Sequence, residues 1–205
     1  MKKILIYRHC SLGDFIVALP AIKMIKDENP NSKIYLSSSR KKEIGFVTPN
    51  LIPLKKKIID EYIFFDHSFF SILKFLKKIK DKKFDKIYYL NHIESKFRLK
   101  RDLLIFTILG IKLKYGFEIQ KYNFKIFNET YYLCKRVNNN VKKINISFKN
   151  LIKKKTNNKK NFITISLGGR NIKKKWEIKY WEILIKKIIK HFPNLKIKIL
   201  GSKDE

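Results

Sequence analysis

The apolar run Ile4–Tyr7 gives way, across Ser11-Leu12-Gly13-Asp14, to a stretch from Phe15 to Ile25 whose apolar residues recur at helical spacing. An apolar strand leading into an apolar helix-periodic run is a strand–helix junction, which in an open parallel sheet lies at the carboxyl end of the strand. The alternation then repeats. A helix over Phe15–Asp27 stops at Asn29-Pro30, because the residue before proline avoids helical backbone. Strands are expected at Lys33–Ser37, Glu61–Phe65, Lys86–Leu90 and Lys112–Phe117. Lys41–Thr48 reads as a short helix, and Pro49 and Pro53 mark an irregular connection. Phe69–Lys80 carries apolar residues at helical spacing, and Asp102–Leu109 is a further helix closed by Gly110. Strands separated by helices predict an α/β chain built on a Rossmann-like, doubly wound parallel sheet.

Composition changes after Val137. Asn138–Asn140 and Lys153–Lys160 are polar and basic, bracketing a candidate helix at Ile144–Leu151. This is the signature of a linker, so residues 1–137 are read as one domain, 138–160 as a linker region and 161–205 as the start of a second domain. That second part repeats the opening pattern: strand Asn161–Leu167, loop Gly168-Gly169-Arg170, helix Trp176–His191, strand Lys196–Leu200. Two strands and one helix are too few to cover both faces of a sheet, so it is the beginning of a second Rossmann-like domain.

Lysine and arginine outnumber aspartate and glutamate 48 to 17, a formal charge of +31. Two readings stay open. Such an excess favours anionic surfaces such as nucleic acid, acidic lipid or phosphorylated glycolipid. The joint abundance of Lys, Ile and Asn also fits a compositional drift towards solvated lysines, and the basic runs are dispersed along the chain. No helix-turn-helix, zinc-ligand or RNA-recognition signature accompanies the charge, and no specific nucleic-acid partner is expected. Cys10 and Cys134 offer neither a disulfide framework nor metal-ligand spacing and read as structural thiols. No apolar run reaches membrane-spanning length. Ile4–Tyr7 is too short for a signal segment and is followed by Arg8, so a cytoplasmic chain is expected.

In an open parallel sheet, ligands bind beyond the carboxyl ends of the strands. Ser11, Gly13 and Asp14 sit at such an end, at the start of a helix. Asp14 there is either an ordinary cap or a carboxylate able to act on a substrate, and Gly13 permits either a positive-φ turn or close approach of a ligand. Arg8 contacts an anionic group or caps the strand, and His9 reads as a loop histidine. Asn91 and His92 follow the Lys86–Leu90 strand at the same edge, a position from which they could face an acceptor substrate. Gly168 and Gly169 could expose amides to phosphate, although Gly-Gly-Arg is a weak motif. Trp176 and Trp181 read as packing residues of their helix.

The stretch from Lys3 through Asn29-Pro30, with its strand, Arg8, Ser11-Leu12-Gly13-Asp14 loop and Leu19-Pro20-Ala21, resembles the opening of the family 9 glycosyltransferases, the lipopolysaccharide heptosyltransferases. The resemblance resumes at Ile163–Arg170, at the Lys173-Lys174-Lys175-Trp176 run with Tyr180-Trp181, and at Leu200–Glu205. It is weaker at Phe84–Asn91 and at Gly110 and Gly116-Phe117. It implies a GT-B architecture, two Rossmann-like domains with the active site in the cleft. It also implies transfer of a sugar from a nucleotide-diphosphate donor, ADP-heptose, to a lipopolysaccharide-type acceptor, with inversion and no metal or other cofactor. On the matching positions, Asp14 is the general base and Lys174 contacts the donor phosphate, the lysine run leaving the register open between Lys173 and Lys174. An acidic glycolipid acceptor places the chain peripherally at the anionic inner face of a membrane. Family chains continue through further strands and helices that build the donor pocket, whereas this sequence runs to Glu205. The alternative expectation is therefore a partial or non-catalytic chain that retains acceptor binding.

Overall fold

A computed structural model of the chain describes residues 1–9, 11–39, 50, 52–54, 57–66, 68–92, 95–118, 128–142, 151, 162–167 and 176–200. The chain divides into two compact units, Met1–Lys154 and Lys155–Glu205.

In the first unit the apolar opening becomes β1 (Lys3–Tyr7), the central strand of a five-stranded parallel sheet. Its neighbours are β2 (Lys33–Ser39) and β4 (Lys86–Tyr89); β3 (Glu61–Phe65) and β5 (Leu113–Tyr115) form the edges, in the order β3-β2-β1-β4-β5. Ile4, Leu5 and Ile6 are wholly buried because alternate residues enter different cores. Ile4 and Ile6 pack with Phe15, Leu19, Ile22 and Ile25 of α1 (Leu12–Glu28) and with Leu133 and Cys134 of α4 (Glu129–Val137). Leu5 and Tyr7 face the other way, onto Phe75 and Ile79 of α2 (Phe69–Lys82) and Leu99 and Phe106 of α3 (Lys96–Ile108). The continuous apolar run in the sequence is thus two interleaved faces, each roofed by its own helix pair.

The ends of the helices follow from their caps. Ser68 and Ser95 accept from the amides of Ser71 and Arg98 to start α2 and α3. α3 therefore begins well before the expected Asp102, since Ser95 caps it; Gly110, at φ +82°, follows its end. α1 begins at Leu12 rather than Phe15 and absorbs Gly13 and Asp14 into its first turn. Pro20 lies inside α1, where it lacks an amide and crowds the preceding turn. In that turn the Val17 carbonyl also accepts from the Thr130 hydroxyl of α4 at 3.1 Å, tying α1 to α4. The expected Lys41–Thr48 and Ile144–Leu151 helices fall outside the described residues, except Leu151, which lies in a turn.

The second unit contains a parallel pair, β6 (Phe162–Ser166) and β7 (Lys196–Leu200), with α5 (Ile178–His191) between them in sequence. Ile165 is its buried strand residue, and no residue of α5 is buried. Trp176 stands about half exposed, edge-on to Trp181, rather than inside a core.

Gly116 has φ +81°, and a Cβ there would stand 2.5 Å from the Tyr89 carbonyl oxygen. Gly116→Ala should therefore lower stability by more than the roughly 1–2 kcal/mol of left-handed backbone alone. Urea unfolding of the full chain measures it, and an unchanged midpoint would contradict this reading of the turn.

Candidate active site at the sheet switch point

From β1 the chain winds outward through β2 to β3, then crosses back to place β4 on the other side of β1. The carboxyl ends of β1 and β4 therefore flank the point where the winding reverses, the place where an open α/β sheet leaves a crevice. Arg8, His9, Ser11, Gly13 and Asp14 follow β1, and Asn91 and His92 follow β4. Hydrogen bonds stitch the two ends together. The Leu90 amide donates to the Tyr7 carbonyl at 3.0 Å, and the His9 amide donates to Asn91 Oδ1.

Arg8 is 3% exposed, and the two terminal nitrogens of its guanidinium bind protein partners. Nη1 donates to the Leu90 carbonyl at 2.6 Å and Nη2 to Glu129 Oε1 at 2.8 Å, joining β1, the end of β4 and α4. Arg136, also on α4 and buried, donates through Nη1 to the Asn91 carbonyl. Burial, and then the neighbouring Arg8 guanidinium, lower the Arg136 pKa to about 10. A pair of buried guanidiniums thus braces the two loops from beneath. On the other side of β4, Tyr89 donates its hydroxyl to Asp102 Oδ2 at 3.0 Å, and Arg101 grips Oδ1 through Nε and Nη2 at 2.9 and 2.6 Å. Burial and then the Asp102 charge push the Tyr89 phenol well above its ordinary range.

Asp14 occupies the third helical position of α1 and is exposed. Its Oδ2 accepts from the Ser11 amide at 3.2 Å and the Ser11 hydroxyl at 2.9 Å, a reciprocal cap of the helix start. Both bonds fall on one oxygen. Gly13 is not a positive-φ turn, contrary to one of the sequence expectations; it is the second helical residue. A side chain built there would meet nothing within 4 Å, so glycine leaves the helix start open beside Asp14. His9 lies edge-on between Tyr7 and Phe65, with ring centroids 4.8 and 4.7 Å away, as befits a loop histidine that packs. Cys134 is buried in the core, where burial pushes its thiol up to about 12. Gly168, Gly169, Lys173, Lys174 and Cys10 lie outside the described residues. Among the described residues no group of three metal-ligating side chains occurs.

The sequence reading missed Glu129 and Arg136 because it missed α4. The signal was present: Asn128 before an acidic first-turn residue, with Lys135 and Arg136 in the last turn, is the pattern of a capped short helix. It also placed Asp102 at a helix start, whereas α3 carries it inward to Tyr89.

The fold has known counterparts. Heptosyltransferase WaaC from E. coli, solved with ADP, matches 98% of this chain over 68% of its own, with a TM-score of 0.62 at 17% identity. ADP-heptose lipopolysaccharide heptosyltransferase II from E. coli matches 100% of this chain over 65% of its own, at 0.61 and 13%. A glycosyltransferase family 9 protein from Veillonella parvula matches 99% over 63%, also at 0.61 and 13%. The chain has the fold of the family 9 glycosyltransferases. It spans about two thirds of the length of these family 9 structures. No family model matches the chain, and no curated protein matches it in sequence.

Removing Glu129 would leave the Leu90 carbonyl as the one hydrogen-bond acceptor of the buried Arg8 guanidinium among the described residues. Glu129→Ala should cost roughly 1.5–3 kcal/mol, the loss of a charged hydrogen bond to a buried group. Equilibrium denaturation should show the drop, and a variant as stable as wild type would show that Arg8 is not held this way.

Proposed function

We propose that this chain is a glycosyltransferase that moves a sugar, of heptose type, from a nucleotide-diphosphate donor to a lipopolysaccharide-type acceptor. The observation that carries the reading is the position of Asp14. It is an exposed carboxylate on the first turn of α1, at the switch point of a family 9 fold, next to a glycine that leaves the surface open. In the proposed reaction an acceptor hydroxyl gives its proton to Asp14 as its oxygen attacks the anomeric carbon. The bond from that carbon to the donor's diphosphate breaks on the opposite side, its electron pair leaving with the phosphate oxygen, and the anomeric configuration inverts. Capping through Oδ2 holds the carboxylate in place while Oδ1 serves as the proton acceptor. Ser11 is then a positioning residue, and Arg8 and Asn91 hold the loops that frame the acceptor.

The developing diphosphate charge needs fixed cations and amide donors. Lys174, with Gly168 and Gly169, fills that role by resemblance. That the solved counterparts include complexes with ADP and with an ADP-heptose analogue supports an adenosine-diphosphate donor. An acidic glycolipid acceptor would hold the protein at the anionic cytoplasmic face of a membrane; no helix among the described residues is long and apolar enough to cross one. A second reading, acceptor binding without turnover, is favoured by the second unit, whose described part is a two-stranded pair and a helix with no buried residue.

Asp14→Asn separates base from cap, because the amide oxygen still accepts from Ser11. The variant should keep wild-type thermal stability while nucleoside diphosphate release from ADP-heptose in the presence of a lipopolysaccharide core acceptor falls by about 10²–10⁴-fold. Equal rates would remove Asp14 from the chemistry. Acceptor binding by wild type with no release from this or other nucleotide sugars would select the second reading.

A further inference from the structure

The outward side of α3 is apolar. Phe97, Leu104 and Ile108 are 77%, 60% and 74% exposed. At helical spacing they fall in one stripe about 40° wide, opposite the inward Leu99 and Phe106. A helix apolar on both sides calls for a second apolar contact besides the core. α2 adds to it, exposing Phe69 and Phe70 in its first turn. Phe75, Ile79, Leu99 and Phe106 set both helices on the same face of the sheet. Because α2 and α3 follow the parallel strands β3 and β4, both start at the carboxyl edge of the sheet, the edge that bears Asp14 and Asn91.

Charge selects the occupant. The two helices carry nine basic residues, and Asp81 is their one exposed acid, Asp102 being buried. Apolar side chains flanked by cations and almost free of acids match the boundary of an anionic bilayer, where acyl chains meet the former and headgroups the latter. Nucleic-acid bases would stack on Phe97 but have no use for the aliphatic Leu104 and Ile108. We propose that the outer sides of α2 and α3 are a docking surface for an anionic phospholipid bilayer, with Phe69, Phe70, Phe97, Leu104 and Ile108 entering the acyl boundary. This identifies the face responsible for the membrane placement proposed above, and it holds with or without sugar transfer. Docked this way, the chain keeps the carboxyl edge of its sheet next to the lipid surface that would carry a glycolipid acceptor.

The test is flotation of the full chain with phosphatidylcholine vesicles containing roughly one-third phosphatidylglycerol. Salt of about 0.3 M screens the general attraction of so basic a chain. Wild type should bind. Phe97→Ser/Leu104→Ser/Ile108→Ser and Phe69→Ser/Phe70→Ser, which alter exposed positions and should keep native circular dichroism, should each bind at least about tenfold more weakly. Phe97→Trp should gain fluorescence that brominated lipid quenches, a readout independent of the serine variants' folding. Absence of binding by wild type, serine variants that bind as well as wild type, or an unquenched Trp would each overturn the proposal. So would wild-type self-association that the serine variants abolish while vesicle binding stays the same. Vesicle binding that persists where donor turnover is absent would leave this surface standing and count only against the transferase reading.

Discussion

Burial of β1 on both faces is the constraint from which the first unit follows. A parallel strand with no solvated side must have strands on both edges and helices above and below, because its amides need partners and its side chains need cover. β2 and β4 supply the ladders, α1 and α4 close one face, and α2 and α3 close the other. Placing the first strand in the centre also dictates the reversal of winding beside it. The candidate site is therefore a consequence of the core, not an addition to it.

At the carboxyl end of β1 the apolar run stops at a buried cation, and the structure meets this by recruiting groups from distant segments. Arg8 takes the Leu90 carbonyl and the Glu129 carboxylate; Arg136 takes the Asn91 carbonyl. An isolated buried charge is expensive, so these contacts lock α4 and the β4 loop into one arrangement about the strand end. The rigidity lies below the surface, while Asp14 and Gly13 remain exposed above it. A carboxylate held by its own helix cap, over a braced floor, meets the general requirement that a reacting group sit on a rigid element.

The two units differ in how far they satisfy the same rule. The first covers both faces of its sheet. The described part of the second has a parallel pair whose residues are mostly exposed and a helix that buries nothing completely. Large apolar residues such as Ile178, Phe192 and Leu200 stand in solvent there, a surface suited to further packing.

Much of this was legible in the residues. Glu61–Phe65 and Lys196–Leu200 run as strands over the expected spans, and the remaining described strands agree to within two residues at each end, because a short apolar run between turn residues has few other uses. The junction at Ser11–Asp14 likewise marks the carboxyl edge of the first strand by local pattern alone. What the pattern could not supply was partnership. Nothing near Arg8 in sequence says that Glu129, more than a hundred positions on, will meet its charge, or that the Thr130 hydroxyl will reach the Val17 carbonyl of α1. Nor does local periodicity say which of the two opposite apolar sides of α3 the core leaves uncovered. The sequence by itself determined strands, helix starts and the edge where chemistry can occur, since these depend on spacing and caps between near neighbours. Only the tertiary structure decided which buried charges pair and which apolar faces stay exposed, since burial is a property of what the fold brings together.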